Sequence, residues 1–272
     1  MRLKVRADVA LVERGQAATR EKARALIMAG LILGGGRRIE KPGELVPVDL
    51  ELTVLKPLPY ASRGGLKLAE ALDIFDIDVR GRVCADVGSS TGGFTDCLLQ
   101  RGAVLVYAID VDIRQLDRRL RQDPRVVAIE KNARFIVPDD FPDLPEIIAM
   151  DVSFISVLKI LPALRRAARD SPFVVALLKP QFEVGREKVG RKGIVRDPAL
   201  HRDVLARIVR EAEVLGFSLR GLAACSTRGR KGNREFFAWW AFQGLSPSPE
   251  TVIQWIEEVI RDEENEDGRH RH

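Results

Sequence analysis

The sequence predicts an α/β protein with a mostly parallel, seven-stranded sheet covered by helices on both faces, preceded by a small α+β unit. Three observations predict it. Beyond residue 62, short apolar runs alternate with helical segments, the pattern of a sheet buried on both faces. One of those runs, Val83-Cys84-Ala85-Asp86-Val87, leads through a glycine-rich turn into a helix, as ligand-binding strand ends of open sheets do. Before Lys56, by contrast, two short helices and short strands carry a concentration of basic side chains.

In the first unit, residues 1–56, a helix starts at Asp8 and stops at a turn at Gly15. A second begins near Thr19, a good N-cap, and ends at Gly30. Leu31-Ile32-Leu33, a turn at Gly34-Gly35-Gly36, Arg37-Arg38-Ile39 and Leu50-Glu51-Leu52-Thr53-Val54 read as short strands. So small a unit buries little surface, so its purpose is presentation, and Arg2, Lys4, Arg6, Arg20, Lys22, Arg24, Arg37, Arg38 and Lys41 are what it presents. Residues 57–62 read as a stiff linker, because two prolines restrict the chain to extended forms.

The second domain, residues 63–246, holds strand candidates at 83–87, 104–109, 126–129, 147–150, 173–178, 219–224 and 236–242. Helices are expected from Ser62, over 93–101 and 156–168, and from Asp197-Pro198, an N-cap followed by proline at the first helical position. Residues 247–272 read as a terminal helix and a highly charged tail, disordered from Asp262 onward.

Composition excludes several classes. Lys and Arg number 44 against 39 Asp and Glu, a mild surplus that matters only where it clusters. The three cysteines, Cys84, Cys97 and Cys225, are scattered without ligand spacing, and two of the three histidines fall in the tail. Neither a disulfide framework nor a metal site is expected. The start lacks the apolar core of a signal peptide, and no apolar run approaches the ~20 residues that span a bilayer. A cytoplasmic protein without membrane insertion is expected.

The sharpest local signal is Asp86-Val87-Gly88-Ser89-Ser90-Thr91-Gly92-Gly93-Phe94-Thr95. A dinucleotide fingerprint would need G-x-G-x-x-G and no acid at the strand end, where Asp86 would repel a pyrophosphate. The same carboxylate suits the cationic methionine portion of S-adenosylmethionine. Asp110, followed by Val111, ends the next strand and is placed for ribose hydroxyls; Asn132-Ala133, after the third, offer polar groups to an adenine edge.

Four further segments carry polar groups that a fold does not need. They bring Lys67 at the start of the first helix, Asp151 and Lys179 at two strand ends, and Glu235 opening the aromatic strand. A ribose 2′-hydroxyl must lose its proton as it attacks a sulfonium methyl, and a lysine near pKa ~10.4 cannot accept it while protonated. A second ammonium and partial burial free one amine, and carboxylates orient the pair. Lys179 is the expected base, Asp151 its orienter, and Lys67 and Glu235 positioning partners. Basic loops flank these residues, with Arg186, Lys188, Arg191, Lys192 and Arg196 on one and Arg228, Arg230, Lys231 and Arg234 on the other.

The first unit resembles the S-four-type RNA-binding domain at Arg6-Ala7-Asp8, Glu13-Arg14-Gly15, Thr19-Arg20-Glu21-Lys22-Ala23, Ala29-Gly30-Leu31-Ile32 and Lys41-Pro42-Gly43. Nearly the whole chain resembles the TlyA family of bacterial ribosomal RNA 2′-O-methyltransferases, whose catalytic domain is similar to the FtsJ type. The carrying motifs are Ser62-Arg63-Gly64-Gly65-Leu66-Lys67-Leu68, the Asp86–Thr95 loop, Asp151-Val152-Ser153-Phe154-Ile155-Ser156, Lys179-Pro180-Gln181-Phe182-Glu183 and Gly232-Asn233-Arg234-Glu235-Phe236. The resemblance implies a Rossmann-like class I methyltransferase fold, cytidine 2′-O-methylation in ribosomal RNA, S-adenosylmethionine as donor, and a Lys67–Asp151–Lys179–Glu235 tetrad. It further suggests Arg6, Arg20, Lys41 and Arg63 as phosphate contacts and Phe154 beside a flipped nucleotide.

Other readings stand beside this one. Family members have been called hemolysins, which suggests a membrane-active protein, although the terminal helix carries Glu257 and Glu258 rather than a lysine-rich face. A non-catalytic ribosome-assembly factor would use the same RNA-binding surface, and a small-molecule methyltransferase would leave the first unit without a role. Ribosomal RNA or ribosomal subunits are the expected partners of a monomer.

Overall fold

The computed structural model describes residues 3–28, 30–55, 58–167, 173–185, 187, 189–190, 193–229, 232–242 and 244–269, with side chains as far as Arg261. The chain divides into two compact units, Met1–Leu58 and Pro59–His272.

The first unit runs β1 (Lys4–Arg6), α1 (Ala7–Glu13), α2 (Arg20–Met28), β2 (Ile32–Gly34), β3 (Arg37–Arg38), β4 (Leu45–Pro47) and β5 (Leu52–Val54). Both helices fall where the sequence puts them, and the Thr19 hydroxyl caps α2 by accepting the Lys22 amide at 3.2 Å. β2 pairs antiparallel with β3 and β5. The β2–β3 turn needs left-handed backbone at Gly35 and Gly36, with φ of +56° and +80°. The β1–β4 pair escapes sequence reasoning, because each strand is three residues long and its partner is remote. Ala10, Leu11, Ala23, Ile27, Ile32, Ile39 and Val46 form a small apolar core.

In the second unit, β6 (Val83–Val87), β7 (Leu105–Asp110), β8 (Val126–Glu130), β9 (Ile147–Met150), β10 (Phe173–Leu178), β11 (Ser218–Ala224) and β12 (Phe236–Ala241) form one sheet. Its order is β11-β12-β10-β9-β6-β7-β8. β12 runs antiparallel to both neighbours, and the remaining pairings are parallel. The seven-stranded, mostly parallel sheet is thus the one the alternation predicts.

Strand residues alternate between two cores, as a pleated backbone requires. Ile148, Met150, Ala176 and Leu178 face α6 (Leu161–Ala167), α7 (Pro198–Val214) and α8 (Pro249–Arg269). Ile147, Ala149, Val175 and Leu177 face α3 (Arg63–Ile74) and α4 (Gly93–Gln100). A short α5 (Arg118–Arg121) lies before β8.

Three local expectations need correction. Residues 59–62 are not free linker, because the Ala61 amide donates to Asp96 Oδ2 at 2.8 Å and Gln100 Nε2 donates to the Pro59 carbonyl at 2.8 Å. The helix expected over 156–168 divides into a 3-10 turn, Val157–Lys159, and α6. The helix after Pro249 continues to Arg269 through the segment expected to be disordered, whose glutamates have good helix propensity. Arg2, Lys56, Pro57, Arg186, Lys188, Arg191, Lys192, Arg230 and Lys231 lie outside the described residues.

Candidate active site

The chain turns from β6 toward β7 and β8 on one side of the sheet and reaches β9 and β10 on the other, so the strand order reverses at the carboxyl ends of β6 and β9, the place where open sheets bind their ligands. Gly88 lies there with φ +88°, and a Cβ added to it would come within 2.6 Å of the Asp151 carbonyl oxygen. Only glycine lets the β6 loop pass so close to the end of β9. Asp110 shapes the same loop, since Oδ2 accepts the Ser90 amide at 2.9 Å and Oδ1 accepts the Asp112 amide at 3.1 Å. Ser90 itself is held at φ +46°.

Asp86 is wholly buried. Its Oδ2 accepts the Thr95 amide at 2.8 Å and the Thr95 hydroxyl at 2.6 Å, tying β6 to the first turn of α4. Its Oδ1, like the buried Ser89 hydroxyl, meets no hydrogen-bond partner among the described residues. Burial pushes the Asp86 carboxyl up to about 7, against the Thr95 hydrogen bonds that favour the charged form.

Other members of the expected cofactor set have different surroundings. Gly93 permits helix packing: an added Cβ would sit 2.2 Å from Ser62 Oγ and 2.9 Å from the Gly65 nitrogen. Phe94 is buried in the core beside Gly64. Gly92 caps α4 at φ +90° against Leu116 and Leu120. Thr91 is exposed, and its carbonyl accepts the Asp117 amide at 3.3 Å. Val111 is exposed, Ala133 is half-buried, and Asn132 Oδ1 accepts the Arg134 amide at 3.1 Å.

Packing of Ser62 and Gly65 against Gly93 fixes the start of α3 beside the glycine loop, and one turn later α3 delivers Lys67. Lys67 Nζ pairs with Glu235 Oε2. Lys179 Nζ lies 2.5 Å from Asp151 Oδ1 and donates to Ser153 Oγ at 2.9 Å. Strand register explains the grouping. Met150 is opposite Ala176 and Leu178 is opposite Phe236, so Asp151, Lys179 and Glu235 stand at three adjacent strand ends. Side-chain exposures of 10% for Lys67, 4% for Glu235, 11% for Lys179 and 23% for Asp151 put both pairs in partly desolvated surroundings.

FtsJ-like methyltransferases match residues 60–242, and the S4 domain matches residues 5–52. The 16S/23S rRNA (cytidine-2′-O)-methyltransferase TlyA of Mycobacterium tuberculosis is 43% identical over 242 residues, covering 88% of this chain and 90% of its own. A candidate rRNA methyltransferase of Bacillus subtilis, YqxC, is 52% identical over 261 residues, covering 95% and 92%. The solved structure of a candidate hemolysin from Streptococcus thermophilus superposes with a TM-score of 0.74 at 42% identity, covering 98% of this chain and all of that one. The chain belongs to the TlyA family of FtsJ-like methyltransferases.

In this TlyA-family methyltransferase, residues that sequence reasoning passed over support the ones it singled out. Glu70, one turn beyond Lys67 on α3, accepts the Ser226 amide at 2.8 Å and its hydroxyl at 3.0 Å, holding the stretch that leads to Glu235. Asn233 Oδ1 accepts the Val195 amide at 3.0 Å, and its Nδ2 donates to the Gly193 carbonyl at 2.9 Å. Glu183 ties two loops together. Among these, only Asn233 and Glu183 stood inside quoted motifs, and nothing in their residue type announced a buried partner.

Phe154 is 90% exposed with φ +65°, a conformation costly for a bulky residue, and its ring lies 4.9 Å from that of Phe182. In the S4 unit of this TlyA-family protein, Arg6 makes paired hydrogen bonds to Asp8 at 3.0 and 2.9 Å, and Arg20 joins the same carboxylate at 3.2 Å. Asp8 is buried, and its carboxyl is lowered to about 2, chiefly by the Arg6 hydrogen bonds. Lys22, Arg24 and Lys41 are exposed on that unit, and Arg63 is exposed at the first position of α3. No helix among the described residues is long and apolar enough to cross a membrane.

Proposed function

We propose that this methyltransferase uses S-adenosylmethionine to methylate the 2′-hydroxyl of a cytidine ribose in ribosomal RNA, with the S4 unit gripping the RNA backbone in the cytoplasm. The observation that carries the reading is the environment of Lys179 Nζ. A neutral amine has two N–H donors and one lone pair. Lys179 Nζ donates to Ser153 Oγ at 2.9 Å and lies 2.5 Å from Asp151 Oδ1 without a hydrogen bond to it, so the serine fixes the nitrogen and the carboxylate stands by to stabilise the ammonium that forms when the amine takes a hydroxyl proton.

The residues present fit the proposed cofactor. Asp86 Oδ1 and Ser89 Oγ are buried polar atoms without a hydrogen-bond partner among the described residues, suited to an ammonium and a carboxylate. Asp86, Ser89 and the Gly88–Gly92 backbone would hold the methionine part, Asp110 the ribose, and Asn132 with Ala133 the adenine edge. When bound, the cofactor supplies an electrophilic methyl group on a sulfonium.

The chain's own residues do the rest. Lys179 Nζ takes the 2′-hydroxyl proton as the oxygen becomes nucleophilic, and Asp151 stabilises the ammonium that results. Lys67, neutralised by Glu235, keeps positive potential near the developing alkoxide without leaving a buried net charge. Phe154 offers an exposed ring for a base turned out of its stack. The names of the M. tuberculosis relative and of the Campylobacter jejuni relative, both rRNA (cytidine-2′-O)-methyltransferases, support the choice of substrate.

The deciding experiment maps 2′-O-methyl groups in ribosomal RNA from cells with the gene, without it, and with a Lys179→Ala copy. One or more cytidines are expected to lose the modification in the last two. Identical methylation in all three refutes the proposal.

A further inference from the structure

We infer that Glu183 is a positioning residue, a latch that holds the loop bearing Ser153 and Phe154 against the loop bearing Lys179. Two stretches leave adjacent strand ends here, residues 151–157 after β9 and residues 179–183 after β10. They meet at three levels. Lys179 reaches Asp151 and Ser153. Phe182 stacks at a tilt on Phe154, with ring centroids 4.9 Å apart. Glu183 closes the far end, where Oε2 accepts the Ser156 hydroxyl at 2.7 Å and Oε1 accepts the Val157 amide at 2.9 Å.

The energetics favour a dedicated role. The Glu183 side chain is 1% exposed, a costly place for a carboxylate unless its lone pairs are used. Arg207, on α7, donates to the Glu183 carbonyl at 2.8 Å and lies 3.5 Å from its Oε2, which anchors the latch to the helical layer. Between the first and last levels, Phe154 is kept exposed in left-handed backbone, a conformation that persists only where its surroundings impose it. Ser156 and Val157 are the residues that Glu183 seizes, two and three positions beyond Phe154. Without them the strained residue would relax, and Ser153 would leave Lys179.

The catalytic half of this inference rests on the function proposed above, so its test has an arm that needs no activity. Hydrogen exchange of the amides of 152–158 is compared in the full-length protein, Glu183→Ala, Glu183→Gln and Ser156→Ala. Glu183→Ala is expected to speed exchange across this segment about tenfold or more, with the strands unaffected. Glu183→Gln retains an acceptor for Val157 and a donor for Ser156, so it stays within about threefold of the wild type. Ser156→Ala, which keeps the carboxylate and its Arg207 contact, gives a smaller rise and covers the case in which Glu183→Ala does not fold. Unchanged exchange in both alanine variants overturns the latch.

The activity arm uses single-turnover methyl transfer. Glu183→Ala should lower the rate about tenfold to a hundredfold at unaltered cofactor affinity, with Glu183→Gln recovering most of it. Adding Glu183→Ala to Phe154→Ala should cost less than the product of the two single losses, because both act through one loop. Strictly multiplicative losses overturn the positioning role. A wild-type protein that transfers no methyl group refutes the proposed function instead, and the exchange arm then decides the latch by itself.

Discussion

Lys67 on α3 and Glu235 at the start of β12 stand 168 positions apart in the chain and bond directly, Nζ to Oε2, in a buried setting. Their pairing joins the helix that opens the second unit to the strand that nearly closes its sheet. Glu235→Ala strands a buried ammonium and should cost about 3–5 kcal/mol of stability. The double variant Lys67→Met, Glu235→Leu removes both charges and should regain most of the melting temperature while remaining inactive. Thermal unfolding and methyl-transfer assays on the same preparations separate the two effects; a double variant that regains activity refutes a catalytic contribution.

Lys179 should tolerate no substitution that lacks a lone pair. Lys179→Arg places a permanent positive charge beside Asp151 and stays protonated throughout the usable pH range. Both Lys179→Arg and Lys179→Ala are therefore expected to lose about a hundredfold or more in turnover, with cofactor affinity by calorimetry within about threefold of wild type. Substantial turnover by the arginine variant excludes Lys179 as the proton acceptor.

If it holds the cofactor as proposed, Asp86 should make stability and cofactor binding depend on pH in opposite senses. Its carboxyl sits at about 7 in the folded protein because it is buried, well above its unfolded value, so the folded state holds the extra proton in between. Its contribution to stability is therefore fully present below about pH 4 and fades as pH rises toward 7. An ammonium held at Oδ1 needs the ionised form, so cofactor affinity should rise between about pH 6 and 7. Asp86→Asn should flatten both trends. Calorimetric titrations and denaturant unfolding across this range check them; a pH-independent affinity in the wild type contradicts the assigned contact.

Asp8 offers a counter-intuitive test of the RNA-binding surface. Removing an acidic residue from a basic unit should strengthen RNA binding if charge alone mattered. Asp8 instead organises Arg6 and Arg20, so Asp8→Asn should weaken RNA binding about threefold to tenfold. Filter binding at several salt concentrations measures it, and tighter binding by the variant would remove Asp8 from the interface. Because the folded carboxyl lies at about 2, the stability that Asp8 contributes is present above about pH 4 and is lost as pH falls toward 2.

Much of the fold was legible in the sequence because strands buried on both faces leave unbroken apolar runs, such as Phe173–Leu178, that few other structures use. The β1–β4 pair was hidden, since three residues show no periodicity and their partners lie far along the chain. Candidate residues were legible wherever a polar group interrupts such a run at its end, as Asp151 and Lys179 do. Glu70, Thr95 and Glu183 carried no such mark. Glu70 and Glu183 act by accepting backbone and hydroxyl donors from another element, and Thr95 by donating to the Asp86 carboxylate; a single side chain type does not reveal that reach.

Local sequence determined the elements themselves: the glycine loop after Val87, the capped helices, and the chemical types of the residues that end each strand. Those features depend on torsional freedom, capping and hydrophobic periodicity, which act over a few neighbouring residues. Tertiary structure decided which ammonium meets which carboxylate. The insertion of β12 between β10 and β11 sets Glu235 beside Lys179, yet the approach of α3, allowed by Gly93 against Ser62, assigns Glu235 to Lys67 and leaves Asp151 for Lys179. Strand order and helix packing are properties of the closed core, in which each neighbour is chosen by the space the others leave.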